Sequence, residues 1–363
     1  MNRHRSLVRL VILMVRLVAG AVVVRRLSHA ASAPEPVRPA STPTGSISVV
    51  VPARDEAARI GPLLEAIVGA PGVDEVIVVD DQSTDRTAEV ASRDGVRVIT
   101  GTDLPPGWAG KAWALQQGIT AARGDWVVTL DADTRPDPEL PSAAVARATT
   151  DGIDLLTLAG RFDCPTPGSR WLHPAMLTTL VYRFGAPGAP LTADRLLGNG
   201  QCMVVDRRRF IEAGGMEPVR ADTVEDVALA RHLARAGWTV GFLDASDLLT
   251  VRMFESFGDT LRGWGRSLAL PGVETRRRQL LDLAVIALTQ VLPLARVASR
   301  RADVVDIALL AVRVGTLVGT RRAYTRTDAA YWASPLADPV AAAAIAAGIA
   351  RGRRQTWRGR TYG

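Results

Sequence analysis

Two hydrophobic periodicities alternate along the middle of the chain. Short, largely apolar runs at residues 47–51, 76–79, 96–99 and 127–130 have the length and β-branched content of buried strands. Between them the apolar positions fall into helical spacing. Ile60, Leu63, Leu64 and Ile67 share one face, and the spacing predicts a helix that opens at residues 53–56 and runs through them. A shorter helix is expected over residues 87–93 and another from Gly110. Farther on, residues 155–162 read as a strand, 168–186 as a helix, 225–236 as a helix and 239–243 as a strand. Strand and helix alternating through short links define an α/β fold with a doubly wound sheet. Ligands of such sheets bind beyond the carboxyl ends of the strands, where residues 52–56, 80–85 and 131–133 all fall.

The flanks are patterned differently. Residues 7–24 are apolar except for Arg9 and Arg16, and Arg25 and Arg26 close the run. A transmembrane helix, an interfacial helix and a signal peptide all fit; a membrane-associated helix over residues 1–27 is the reading taken here, although Arg16 at mid-span requires a partner. Residues 28–45, rich in Pro, Ala and Ser, form a linker to a folded domain at 46–270. Residues 271–363 hold three stretches of near-bilayer length, 280–297, 304–320 and 331–350, each bounded by arginines. They are interrupted by Asp282, Gln290, Pro293, Asp306, Arg313, Asp338 and Pro339, so core helices of a soluble domain remain the alternative.

Charge follows the same division. Of the net +7 over 363 residues, residues 1–45 carry +6 and 271–363 carry +9, which leaves −8 for the middle. Basic flanks around an acidic centre speak against nucleic-acid binding and fit a domain held at an anionic membrane surface. Two cysteines, Cys164 and Cys202, support neither a disulfide framework nor a zinc site. Cys202, with no base beside it in sequence, reads as an apolar filler.

The chemistry concentrates in carboxylates. Asp131 and Asp133 leave the strand at 126–130 one residue apart, a spacing that aims oxygens at one hard cation; capping and solvation are the ordinary alternatives. Asp80, Asp81 and Asp85 at the end of the second strand have turn and N-cap chemistry as theirs. Lys111 is the sole lysine of a chain with 44 basic residues and sits at an expected helix start, where backbone N–H groups attract anions. It is expected to reach a bound anion; an incidental surface lysine is the alternative.

In order and spacing, Val51-Pro52-Ala53-Arg54-Asp55-Glu56, Val79-Asp80-Asp81-Gln82-Ser83-Thr84-Asp85 and Leu130-Asp131-Ala132-Asp133 resemble the donor half of the inverting family 2 glycosyltransferases, over about residues 46–270. The resemblance implies a GT-A nucleotide-diphospho-sugar transferase fold with a mixed sheet. Pro52, Ala53, Asp55, Glu56, Asp81, Lys111 and Asp131 would line the donor, a UDP-sugar, and Asp131 and Asp133 would hold Mg2+ or Mn2+. It implies that Asp226, in Val224-Glu225-Asp226, is the general base, with Glu225 orienting the site or capping its helix. Gly200 and Gln201, in Gly198-Asn199-Gly200-Gln201, would face the acceptor. Where many relatives carry Q-x-x-R-W this chain has Arg262-Gly263-Trp264-Gly265-Arg266, which leaves Arg262 and Arg266 as rivals and Trp264 and Arg266 as acceptor-side candidates. The departure argues against a processive synthase. Gly107-Trp108-Ala109-Gly110-Lys111 and the tail Trp357-Arg358-Gly359-Arg360-Thr361-Tyr362 resemble a subgroup associated with hopanoid and carotenoid pathways. The implied activity is transfer of glucose from UDP-glucose to a membrane lipid at the cell membrane, with the catalytic domain facing the cytoplasm. Transfer to polyprenyl phosphate and a catalytically silent membrane scaffold are the alternatives.

Overall fold

The computed structural model describes residues 2–39, 45–352, 355–357 and 360–362. They form two units that interleave along the sequence, a sheet unit from residues 34–163 and 191–253 and a helical unit from residues 1–33, 164–190 and 254–352.

The sheet unit is built on ten strands: β1 (Ile47–Ala53), β2 (Val73–Asp80), β3 (Val96–Thr100), β4 (Trp126–Leu130), β5 (Thr134–Pro136), β6 (Leu155–Ala159), β7 (Arg161–Asp163), β8 (Cys202–Asp206), β9 (Val240–Asp244) and β10 (Leu249–Arg252). Seven of them make a mixed sheet in the order β3-β2-β1-β4-β8-β6-β9. β1 to β4 run parallel, and β8 is antiparallel to both β4 and β6. That reversal puts the start of β8 beside the end of β4, with Leu130 paired to Cys202. Residues 198–201 therefore reach the same edge as Asp131. The apolar runs are buried as their pattern demands: Ile47, Val49, Val50 and Val51 have no exposed surface, and neither do Ile60, Leu63, Leu64 and Ile67. Each such side chain contributes roughly 1.5–3 kcal/mol of burial.

Two expectations are corrected. The helix expected from residue 53 begins instead at Ile60. β1 continues to Ala53, paired with Asp80, and Asp55 turns the chain with a left-handed φ of 53°. The N–H groups of Asp55, Glu56 and Ala57 donate to Ser83 Oγ, Thr87 Oγ1 and Asp85 Oδ2 across the neighbouring loop. The strand expected over 155–162 breaks at Gly160 into β6 and β7, and β7 joins a separate three-stranded sheet, β5-β10-β7. A Cβ at Gly160 would lie 2.9 Å from Leu249 Cγ and 3.0 Å from Val251 Cγ2, so the crossing requires glycine. Part of the expected linker also packs: Val37 is buried and donates its N–H to the Asp244 carbonyl at 2.8 Å.

The helical unit comprises Asn2–Ser28, Pro167–Phe184, Phe257–Ser267, Arg276–Ala298, Val304–Thr320 and Asp338–Arg351, around a core that includes Leu172, Met176, Ile286 and Ile345. Arg16 finds the partner its position demands. Its guanidinium is buried, pairs with Asp303 at 2.8 Å and reaches Asp306, which Arg296 also meets at 2.8 Å. Among the described residues one helix, Arg276–Ala298, is long and apolar enough to cross a membrane. The stretch 331–350 is interrupted by short turns at Ala329–Trp332 and Ser334–Ala337 before its helix begins at Asp338. Asp338 forms a fully buried pair with Arg313 at 2.8 Å, so the charges that interrupted the pattern knit this unit together. Leu7, Leu10, Val11, Val15 and Val18 of the first helix and Leu280 and Leu281 of the fourth are exposed. In the tail, Gln355–Trp357 pairs antiparallel with Arg360–Tyr362; its side chains lie outside the described residues.

Candidate active site

Two strand ends, one glycine turn and two helix starts deliver the polar groups. Asp80 ends β2 and Asp81 follows it, Asp131 and Asp133 follow β4, and residues 198–201 precede β8. Lys111 rises from the first turn of the helix Gly110–Ala121, and Glu225 and Asp226 open the helix Glu225–Arg235. Four of these side chains meet. Lys111 Nζ lies 2.8 Å from Asp131 Oδ1 and 3.0 Å from Glu225 Oε1. Asp226 Oδ2 accepts the Gly200 N–H at 2.8 Å, and its Oδ1 accepts the Val227 N–H at 2.8 Å.

Gly200 stands at this close approach. A Cβ there would lie 2.9 Å from Lys111 Nζ and 3.4 Å from Asp226 Cβ. The turn that carries it is fixed from the other side. Asn199 Nδ2 donates to the Leu158 carbonyl and to Gln201 Oε1, each at 2.8 Å, and the Gln201 carbonyl accepts the Asp131 N–H at 3.2 Å. Gln201 thus orders the turn through both its side chain and its backbone. Asn199 is a positioning residue that the sequence did not single out, although it lies within the glycine turn.

Crowding carboxylates away from water raises their pKa. Burial pushes Asp131 up to about 7 despite the opposing charge of Lys111. Burial and the neighbouring Glu225 push Asp226 up to about 6. Burial would lower Lys111, but Asp131, Glu225 and Asp226 outweigh it and hold the ammonium well above its ordinary value. Asp133 is also raised by burial.

Asp133 differs from Asp131 in that no other described residue hydrogen-bonds or ion-pairs with its carboxylate; its carbonyl accepts the Arg252 N–H at 3.0 Å. A half-buried carboxylate with no hydrogen-bond or ion-pair partner among the other described residues, one residue from a second, is a donor set suited to a hard divalent cation. Among the described residues no group of three or more His, Cys, Asp or Glu side chains could hold a metal. Two protein oxygens therefore fit an ion whose remaining positions are filled by phosphate or water. Arg59 and Arg135 act electrostatically on Asp133. Neither was expected, though Arg135 stands two residues beyond it in sequence.

The remaining candidates are placed as follows. Pro52 and Ala53 end β1, and the Ala53 carbonyl accepts the Asp81 N–H at 2.8 Å. Asp55 Oδ1 accepts the Thr84 N–H at 2.7 Å, which holds its pKa below the usual carboxylate value, so Asp55 stitches two loops together. Asp85 accepts the Thr87 N–H at 2.9 Å and the Ala57 N–H at 3.1 Å, the cap and turn chemistry considered for it. Glu56 is 3.7 Å from Arg59, and Asp81 is buried with Arg54 at 3.8 Å. Cys202 is fully buried and its thiol is pushed up by that burial, as befits a filler. Trp264 and Arg266 belong to the helical unit, on Phe257–Ser267, where the Trp264 ring packs edge-to-face on His173 at 5.0 Å.

The strand ends, the paired aspartates and the carboxylates of Glu225 and Asp226 thus gather at one edge of an α/β sheet. Residues 48–213 match Glycosyl transferase family 2. The chain is 26% identical over 248 residues to the 4,4'-diaponeurosporenoate glycosyltransferase of Staphylococcus haemolyticus, which covers 67% of this chain and 66% of that protein. It is 42% identical over 89 residues to the protein of the same name from Staphylococcus aureus, 24% of each. The chain thus spans just under two thirds of the length of the first relative and about a quarter of the second. Among solved structures it resembles the mannosyltransferase PcManGT from Pyrobaculum calidifontis, in complex with GDP-Man and Mn2+, with a TM-score of 0.57 and 18% identity over 92% of this chain and 96% of that one. That likeness concerns the fold, of the GT-A type.

Proposed function

We propose that the chain is an inverting, cation-dependent glycosyltransferase that moves glucose from UDP-glucose to a lipid acceptor at the cell membrane, with the sheet unit on the cytoplasmic side. The observation that carries this reading is the meeting of Asp131, Lys111, Glu225 and Asp226 at the edge where β4 ends and β8 begins, with Asp133 left open beside them. A carotenoid or hopanoid acceptor is supported by the relatives' names and by the sequence resemblance. The membrane surface is supported by the basic flanks and by the exposed apolar side chains of the helical unit.

Chemically, the acceptor hydroxyl oxygen attacks the anomeric carbon while the bond from that carbon to the diphosphate oxygen breaks on the opposite face. The hydroxyl proton passes to Asp226, and UDP leaves. Two backbone N–H groups fix the Asp226 carboxylate, and burial keeps it basic enough to take the proton. When bound at Asp131 and Asp133, the cation supplies charge compensation for the leaving diphosphate. Glu225 and Lys111 align the donor and base halves of the site. An acceptor carboxyl group, ionised at neutral pH, needs no base, so dependence on Asp226 distinguishes hydroxyl from carboxyl acceptors.

The test is titration calorimetry of UDP-glucose into detergent-solubilised protein, with and without Mn2+, with GDP-mannose as competitor. Binding of UDP-glucose that requires Mn2+ and is lost in Asp133→Asn supports the proposal. Equal binding with EDTA, or stronger binding of GDP-mannose, contradicts the cation or the uridine part of it. A silent scaffold is indicated by binding without transfer to any lipid, and transfer to polyprenyl phosphate alone favours that acceptor.

A further inference from the structure

We propose that Lys111 is a built-in stand-in for the divalent cation: in donor-free protein its ammonium bridges Asp131 to Glu225, and it releases Asp131 when cation and donor diphosphate arrive. The inference rests on the reading of Asp131 and Asp133 as cation ligands. Lys111 Nζ lies within hydrogen-bond distance of both Asp131 oxygens, 2.8 Å from Oδ1 and 3.1 Å from Oδ2. A cation arriving at Asp131 therefore competes for oxygens that the ammonium already engages. Two positive centres on one half-buried carboxylate repel each other.

Geometry gives the ammonium somewhere to go. Glu225 Oε1 holds it from the other side at 3.0 Å, and the flexible four-carbon stem can turn toward an incoming diphosphate while keeping that contact. The space around Nζ is tight, since a single methyl at Gly200 would come within 2.9 Å of it. A compact ammonium fits where a planar guanidinium is too broad, which accounts for the sole lysine of a chain otherwise reliant on arginine. Without donor the cation meets an occupied carboxylate; with donor, the diphosphate draws off the ammonium as the cation lands. The consequence is weak cation binding alone and strong binding of cation and nucleotide together.

The experiment measures free Mn2+ by electron paramagnetic resonance in titrations of full-length, detergent-solubilised protein, without nucleotide and with UDP. Wild type, Lys111→Met, Lys111→Arg and Asp133→Asn are compared. We expect Lys111→Met to bind Mn2+ alone at least tenfold more tightly than wild type, and Lys111→Arg, which keeps the charge, to bind it no more tightly than wild type. We also expect Mn2+ to raise the Tm of Lys111→Met more than that of wild type. If Lys111→Met does not fold, Lys111→Met/Glu225→Gln removes one of the negative charges that Lys111 had offset and is read in the same way. Mn2+ binding by Lys111→Met equal to or weaker than wild type, while Asp133→Asn abolishes binding, overturns the stand-in role and leaves the cation site standing. Absence of Mn2+ binding by wild type even with UDP overturns the cation site and this inference together.

Discussion

Asp226→Asn should yield a protein that is both inactive and more stable. In the donor-free, cation-free state burial and Glu225 raise Asp226 from 3.8 to about 6. A shift of about two units at about 1.4 kcal/mol per unit destabilises the ionised carboxylate in the folded protein by about 3 kcal/mol. Because the folded state binds this proton more tightly than the unfolded state, stability falls as pH rises from about 4 to about 6 and is lowest above that window. Asparagine has no charge to desolvate, but it can accept only one of the two N–H groups of Gly200 and Val227, a loss of about 1 kcal/mol. At pH 8 with EDTA the variant should therefore be more stable by about 2 kcal/mol, several degrees in Tm for a unit of this size. Below pH 4 it should be equal to wild type or slightly less stable. Transfer to a hydroxyl acceptor should fall by about 10²–10⁴-fold, the contribution of a positioned base. The assay is a pair of thermal melts across pH 4–8 beside a UDP-release measurement. A variant less stable than wild type at pH 8 refutes the claim that this carboxylate is held against a burial penalty, and undiminished hydroxyl transfer refutes its role as base.

Other substitutions separate site from scaffold. Gly200→Ala places a methyl 2.9 Å from Lys111 Nζ and should lower kcat tenfold or more, with circular dichroism unchanged; wild-type turnover would mean the turn can yield. Asp85→Ala removes the acceptor of the Thr87 and Ala57 N–H groups and should lower stability by about 1–2 kcal/mol in urea melts, with donor affinity within a few-fold of wild type. Arg16→Leu leaves Asp306 buried with Arg296 as its remaining cation and should lower stability by about 2–4 kcal/mol, read as a Tm drop in detergent.

The local features were legible in the sequence because local physics made them. Strands buried on both faces must be apolar throughout, so β1, β2 and β4 announced themselves, as did the face of Ile60, Leu63, Leu64 and Ile67. What depended on distant partners was not. The helix expected at residue 53 gave way because Ser83, Thr87 and Asp85 capture the N–H groups of the intervening loop, from residues 28 or more positions away. Gly160 looked like any strand glycine until Leu249 and Val251 were set against it. Charges in the C-terminal stretches read as flaws in membrane spans, whereas Arg313 with Asp338 and Arg16 with Asp306 are paired across helices. For the site, Asp131, Asp133, Glu225 and Asp226 could be named from spacing and resemblance. That Lys111 joins Asp131 to Glu225, and that Gly200 makes room for both, followed only from the antiparallel return of β8 beside β4.

The central claim is sugar transfer from UDP-glucose to a membrane lipid through this carboxylate set. Purified full-length protein, incubated with UDP-glucose, Mn2+ and lipids extracted from its own source, should release UDP and form a lipid heavier by one hexose, identified by mass; Asp133→Asn should do neither. A hexosyl-lipid formed equally by Asp133→Asn, or UDP released by wild type with no glycosylated lipid under any acceptor supplied, would contradict it.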